Sequence, residues 1–181
     1  MEKRLVTLFE LDVKKKLGKL SKGMLSMVTI IVAMCSKAPY TILDEPVAGL
    51  DVVAREQFYK LLLEEYSTSG RTFLISTHII EEAADVLEEV IILHEGKILL
   101  VEETQELLER VRYVSGKAEE VDAAVAGLET HHPETLGRSK GVTVFLRPGQ
   151  KVDESRDVSV QMVNLQKAFV ALCGEEAHHE A

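Results

Sequence analysis

Three short runs in this sequence carry side chains that could handle a phosphate, a divalent cation or an attacking water. Asp44 and Glu45 follow the apolar run Tyr40-Thr41-Ile42-Leu43 and precede Pro46. Paired carboxylates at a strand end can hold Mg²⁺ through its waters and polarise a water for attack. They can equally stand solvated or cap a turn. His78 directly follows a second β-prone run, Thr72 to Ser76; a lone histidine there is more often structural or merely exposed. Leu20-Ser21-Lys22-Gly23-Met24 opens an apolar helical stretch. Its blandest role is a serine cap with a glycine for the turn. Its alternative is an anion site, where free N–H groups, a hydroxyl and the helix dipole all favour negative charge.

The elements that must position these residues follow from spacing. Leu5, Val6, Leu8 and Phe9 predict a short amphipathic helix over 2–9, and Lys14-Lys15-Lys16 before Gly18 reads as a loop. Leu25, Val28, Ile31 and Val32 repeat with helical period after Ser21, predicting a buried helix over 22–36 that Pro39 closes off. Met24, Met27 and Met34 share that period and read as core filling. The strand at 40–43 suits a parallel sheet buried on both faces. Gly49 marks a turn, and Asp51 caps a helix over 52–66 in which Phe58, Leu62 and Tyr66 stand one turn apart. Ser69-Gly70 breaks that helix before the strand 72–76. A right-handed βαβ connection brings both strand ends to one sheet edge, so Asp44, Glu45 and His78 converge whatever the function.

Downstream, a helix is predicted over 81–86. A hairpin of 89–93 and 98–101 about Glu95-Gly96-Lys97 and a helix over 104–112 follow. Beyond Arg112 the expected elements are a strand at 112–115, a helix at 118–126, a strand at 142–146 and a helix at 159–173. The fold class is therefore α/β over 1–112, with a small α+β appendage over 113–181.

Order then adds what no single run carries. Leu20-Ser21-Lys22-Gly23-Met24, Thr41-Ile42-Leu43-Asp44-Glu45-Pro46, Gly49-Leu50-Asp51 and Ser76-Thr77-His78 stand in the sequence and spacing of the ABC-type ATPases. Residues 1–112 resemble the second half of an ATP-binding cassette, a partial P-loop NTPase sheet with its helical signature segment. The matching parts resemble that family's signature motif, Walker B strand with its adjacent Glu, D-loop and switch His. The Gly-Met ending of the signature resembles the exporter branch served by ABC-2-type permeases. The resemblance implies ATP and Mg²⁺ as cofactors. It implies that Asp44 holds the metal through water, Glu45 acts as general base, and His78 contacts the γ-phosphate. It also implies that Ser21 and the Gly23 amide reach ATP on the opposite subunit, with Asp51 in the interface loop. Lys22 and Met24 replace the Gly and Gln of the commonest signature.

One part is missing from the pattern. The phosphate-cradling loop G-x-x-x-x-G-K-[ST] occurs nowhere in the 181 residues. Gly18 and Gly23 have the right separation, but Met24-Leu25 follow them, and Gly137-Arg138-Ser139-Lys140-Gly141 has the wrong spacing. The chain thus reads as a truncated product, a split subunit or a fragment, expected to be inactive alone. The expected function is an ABC subunit coupling ATP binding and hydrolysis to export through a separate membrane permease, paired with a second cassette subunit. The alternative is a non-catalytic docking or regulatory half-cassette.

Composition narrows the partners. Charged residues are 28% and hydrophobic ones 46%, as in ordinary globular domains. With 21 Lys+Arg against 30 Asp+Glu, the net charge of −9 gives no basic surface for nucleic acid. The longest uncharged stretch, Gly23 to Ser36, is too short for a membrane span, and the N-terminus has no signal-peptide pattern. The expected location is cytoplasmic, peripheral at the inner face of the membrane through the permease. Cys35 and Cys173 are expected to be buried reduced thiols, His131-His132 a solvated loop, and His178-His179 a frayed tail. Glu81-Glu82 and Glu88-Glu89 read as solvated faces.

Overall fold

Ser21 starts the longest apolar helix as a cap: its Oγ accepts the Met24 N–H at 3.2 Å. The computed structural model describes residues 2–174, and the chain divides into two units, Met1–Ile79 and Ile80–Ala181. In the first unit, α1 (Glu2–Leu8) leads through a loop with one 3₁₀ turn, Leu17–Lys19, into α2 (Lys22–Ser36). Strand β1 (Tyr40–Asp44), helix α3 (Val52–Ser69) and strand β2 (Thr72–Ser76) complete it. Asp51 caps α3, its Oδ1 accepting the Ala54 N–H at 2.9 Å. The helix runs three residues past the expected Tyr66, because Gly70 at φ 64° supplies the left-handed stop and its N–H reaches the Tyr66 carbonyl. β1 and β2 pair in parallel from Tyr40↔Thr72 to Asp44↔Ser76, which is the expected βαβ unit.

Two expectations about burial are corrected. Helix α2 is not buried on most sides: Ile30, Ile31 and Met34 face inward, while Leu25 and Val32 are exposed. Strand β1 is not buried on both faces either. Thr41 and Leu43 point in, and Ile42 on the opposite face is 76% exposed. The sheet has only two strands among the described residues, so one face packs and the other stays open.

Arg71 and Glu65, both about 4% exposed as side chains, form a buried ion pair at 3.1 Å that ties this unit together. The Arg71 guanidinium donates to the Ala33, Met34 and Ala38 carbonyls and to Thr41 Oγ1. It thereby gives a partner to two of the four C-terminal carbonyls of α2, those of Ala33 and Met34, which accept no backbone N–H within the helix. Lys37, in a left-handed conformation at φ 54°, donates to both Glu65 oxygens at 2.6 and 2.7 Å.

The second unit opens with α4 (Ile80–Ala84) and the hairpin β3 (Glu89–His94) and β4 (Lys97–Glu103). Glu95 and Gly96 turn it at φ 47° and 73°. Then come α5 (Thr104–Arg110), β5 (Val111–Lys117), α6 (Ala118–Ala124), β6 (Glu129–Leu136), β7 (Ser139–Phe145), β8 (Val158–Met162) and α7 (Leu165–Cys173). Strands β5 to β8 form one sheet in the order β6-β7-β5-β8, every neighbour antiparallel. β5 and β6 are therefore parallel with β7 between them, a split βαβ through α6. Val114, Val142 and Val144 pack with Val121 and Ala124 of α6. Phe145 packs with Leu165, Ala168 and Ala171 of α7 and with Leu107 of α5.

Here the expected helix at 159–173 is corrected. Its first part is β8, where Val158 and Val160 alternate with polar residues and pair with β5; the helix begins only where Asn164 caps it, accepting the Lys167 N–H at 2.8 Å. β6 was not expected, because Glu-Thr-His-His-Pro-Glu-Thr-Leu has no apolar alternation. His131 and His132 accordingly lie in a strand and not a loop, with the His131 ring edge-on to Phe145 at 5.0 Å. Cys35 and Cys173 are free and half-buried, not fully buried. His178 and His179 lie outside the described residues. Among the described residues no helix is long and apolar enough to cross a membrane.

Candidate functional site

The end of β1 is pinned to the end of β2. Asp44 stands opposite Ser76 in register, and the Ser76 hydroxyl donates to Asp44 Oδ1. Glu45 then leaves the strand at φ 45°, and its N–H donates to the Ser76 carbonyl at 2.9 Å. A non-glycine residue in the left-handed region is uncommon, and such residues cluster at functional turns.

That turn aims the Glu45 carboxylate at His78. Oε1 accepts the His78 backbone N–H at 3.1 Å and lies 2.7 Å from His78 Nδ1. A carboxylate can only accept, so Nδ1 carries a proton in this contact, and the His78 side chain is otherwise largely exposed. The second oxygen, Oε2, is buried and has no hydrogen-bond partner. A buried oxygen without a donor is costly, so it marks a place where a donor such as water would be held. Asp44, Glu45 and His78 are thus brought together as the topology predicts.

The remaining candidates form a second group around the segment 45–51. Gly23 lies against Gly49 so closely that a Cβ on Gly23 would stand 2.3 Å from the Gly49 carbonyl oxygen. Ser26, one turn further along α2, donates its hydroxyl to the Ala48 carbonyl at 2.8 Å. Val47 and Leu50 are buried beneath this contact. The start of α2 and the loop leading to Asp51 are therefore one packed piece. The Ser21 hydroxyl and one Asp51 oxygen are occupied as helix caps. Sequence reasoning assigned no role to Ser76 or Ser26. Ser76 could have been found from its place at the end of β2 opposite Asp44, whereas a serine inside a helix carries no such signal.

The donor set fits Mg²⁺ only in one manner. No group of three or more His, Cys, Asp or Glu side chains among the described residues could cage a metal. Mg²⁺ characteristically takes one or two carboxylates and completes its shell with waters and phosphate oxygens, which Asp44 at the sheet edge allows.

Comparison with known proteins gives consistent relatives. A family model described as "AAA domain, putative AbiEii toxin, Type IV TA system" matches residues 10–84. The bacitracin transport ATP-binding protein of Bacillus licheniformis is 32% identical over 177 residues, covering 90% of this chain and 58% of that protein. The doxorubicin resistance ATP-binding protein of Mycobacterium tuberculosis is 24% identical, covering 88% and 54%. The galactofuranose transporter ATP-binding protein of Escherichia coli is 30% identical over 162 residues, covering 83% of this chain and 30% of that protein. The chain thus spans little more than half the length of the first two relatives. Among solved structures, the ATP-binding subunit of an ABC transporter matches at 27% identity and a TM-score of 0.50, over 59% of this chain and 45% of that one. A dimeric, post-hydrolysis ATP-binding cassette bound to ADP and Pi matches at 27% identity and a TM-score of 0.50, over 56% and 44%.

Proposed function

Because the chain is a relative of the ABC transporter ATP-binding proteins and folds as part of their cassette, we propose that it supplies the signature-to-switch half of an ATP-driven transport motor. In this reading the segment 1–112 belongs to the cassette and 113–181 is an accessory domain. The motor acts through a separate membrane permease, which is how the chain would come to the membrane. The Gly23-Met24 signature ending supports export as its direction.

The observation that carries the reading is Glu45, held by His78 through one oxygen while the other is buried without a donor. Oε2 would accept a proton from the attacking water, and the Nδ1–H contact would keep the carboxylate oriented. In its doubly protonated form His78 would donate its Nε2–H to an oxygen of the transferred phosphoryl group. Asp44, steadied by Ser76, would hold Mg²⁺ through water, and the metal would supply charge neutralisation between phosphates. Ser21 and Gly23 would serve ATP held by a second cassette subunit, with the loop to Asp51 at that interface. Within the 181 residues no G-x-x-x-x-G-K-[ST] is present, so the phosphate cradle of the proposed motor lies outside these residues.

The test combines this chain with a polypeptide carrying that loop and follows phosphate release. Hydrolysis is expected only in the mixture, with Glu45→Gln abolishing turnover and leaving nucleotide binding largely intact. Undiminished hydrolysis by Glu45→Gln, or turnover by this chain alone, would overturn the assignment. The competing reading, a docking or regulatory half-cassette, draws support from Ser21 and Asp51 already serving as caps.

A further inference from the structure

The four-stranded sheet of the second unit has two edges built in opposite ways. The β6 edge is defended: it carries Glu129, Pro133 and Glu134, its register with β7 slips between His131 and Glu134, and His132 adopts φ 48°. Proline, charge and bulges are the devices by which proteins stop an edge strand from pairing with another chain. The β8 edge has none of them. Its residues are Val158-Ser159-Val160-Gln161-Met162, without a charge or a proline, and its pairing with β5 is regular throughout. Met162 is 70% exposed, although Val158 and Val160 on the same face pack against the core beneath α6.

We infer that β8 is a self-pairing edge, joining a second copy of this chain antiparallel about Val160 into one eight-stranded sheet. The sequence of the strand selects this occupant. Centring on Val160 sets Val158 opposite the other copy's Met162, Val160 opposite itself, and Ser159 opposite Gln161. Apolar residues then meet apolar ones on one face and a hydroxyl meets an amide on the other, which is what stabilises directly opposed pairs. A twofold axis needs such self-complementarity, and an uncharged strand imposes no like-charge repulsion on it. Pairing also gives partners to outward backbone groups of the edge, the Val158 N–H excepted since it already donates to the Arg156 carbonyl at 2.9 Å, and covers Met162. This association is independent of nucleotide and of the cassette chemistry proposed above.

The experiment is sedimentation of the full chain without nucleotide, across micromolar concentrations. The wild type is expected to dimerise. Ser159→Lys combined with Gln161→Lys changes two exposed positions and places lysines opposite lysines; it should weaken the dimer about tenfold or more while the dissociated chain keeps its native circular dichroism. Mixing that variant with Ser159→Glu/Gln161→Glu should restore association. In a background of Cys35→Ala and Cys173→Ala, Val160→Cys should cross-link to itself, since opposed Cα atoms in an antiparallel pair stand at disulfide distance, whereas Ser159→Cys should not. A monomeric wild type would overturn the proposal. So would a dimer indifferent to the lysines, or cross-linking that favours Ser159→Cys.

Discussion

Gly23 and Gly49 meet backbone to backbone, with no room for a methyl group between the first turn of α2 and the carbonyl of Gly49. This contact, together with the Ser26 hydroxyl on Ala48, locks the loop running from Glu45 to Asp51 onto the helix that carries Ser21. A change at Gly23 therefore acts on the carboxylate turn as well as on the helix. Gly23→Ala should lower stability by about 1–3 kcal/mol, the usual cost of forcing a group into a filled site. Gly18→Ala, where nothing lies within 4 Å of the added Cβ, should be close to neutral. Chemical denaturation of the two variants checks this, and equal midpoints would contradict the packing described.

The buried pair of Arg71 and Glu65 should make the first unit sensitive to acid. Hydrogen bonding from Lys37 first, then Arg71, holds the Glu65 carboxyl below its ordinary value, against the opposing effect of burial. A carboxylate whose pKa is depressed on folding contributes stability that is complete above the unfolded pKa and is lost as pH falls through the folded one. Melting temperature should thus fall as pH drops below the ordinary glutamate range, and Glu65→Gln should flatten that dependence. Arg71→Met should cost about 3–5 kcal/mol, because it leaves Glu65 buried with only Lys37 to pair it. An Arg71→Met protein as stable as wild type would refute the network's role.

Ser21→Ala separates the two functional readings. Loss of the cap alone costs roughly 1 kcal/mol of stability. If the hydroxyl also serves a phosphate on a second subunit, ATP-dependent association with a complete cassette should weaken by about tenfold, the loss of one charge-assisted hydrogen bond. A drop in melting temperature with unchanged ATP dependence would leave Ser21 as a cap and favour the docking half-cassette.

Asp44→Asn and His78→Ala should differ in kind within a reconstituted cassette. If Asp44 holds the metal as proposed, Asp44→Asn should weaken Mg²⁺-dependent nucleotide binding. If His78 orients Glu45 as proposed, His78→Ala should depress turnover more than binding. Binding titrations run beside phosphate release resolve the two, and identical phenotypes would count against separate roles.

Much of this site was legible without coordinates, for a physical reason. The caps Ser21 and Asp51, the stop at Gly70 and the β-prone runs at 40–44 and 72–76 are local signals, and the βαβ crossover rule turns them into convergence of Asp44, Glu45 and His78. Tertiary structure alone decided the rest. The left-handed turn at Glu45, from which its carboxylate meets His78, is tied by a hydrogen bond to the Ser76 carbonyl 31 residues away in sequence. Arg71 reaches back across α2 for carbonyls that no pattern announces. β6 and β8 escaped notice because edge strands need only one partner and little apolar alternation, so pairing with β7 and β5, not composition, makes them strands. The open face of Ile42 has the same origin: a sequence shows that a residue is apolar, but burial depends on whether another layer lies over it.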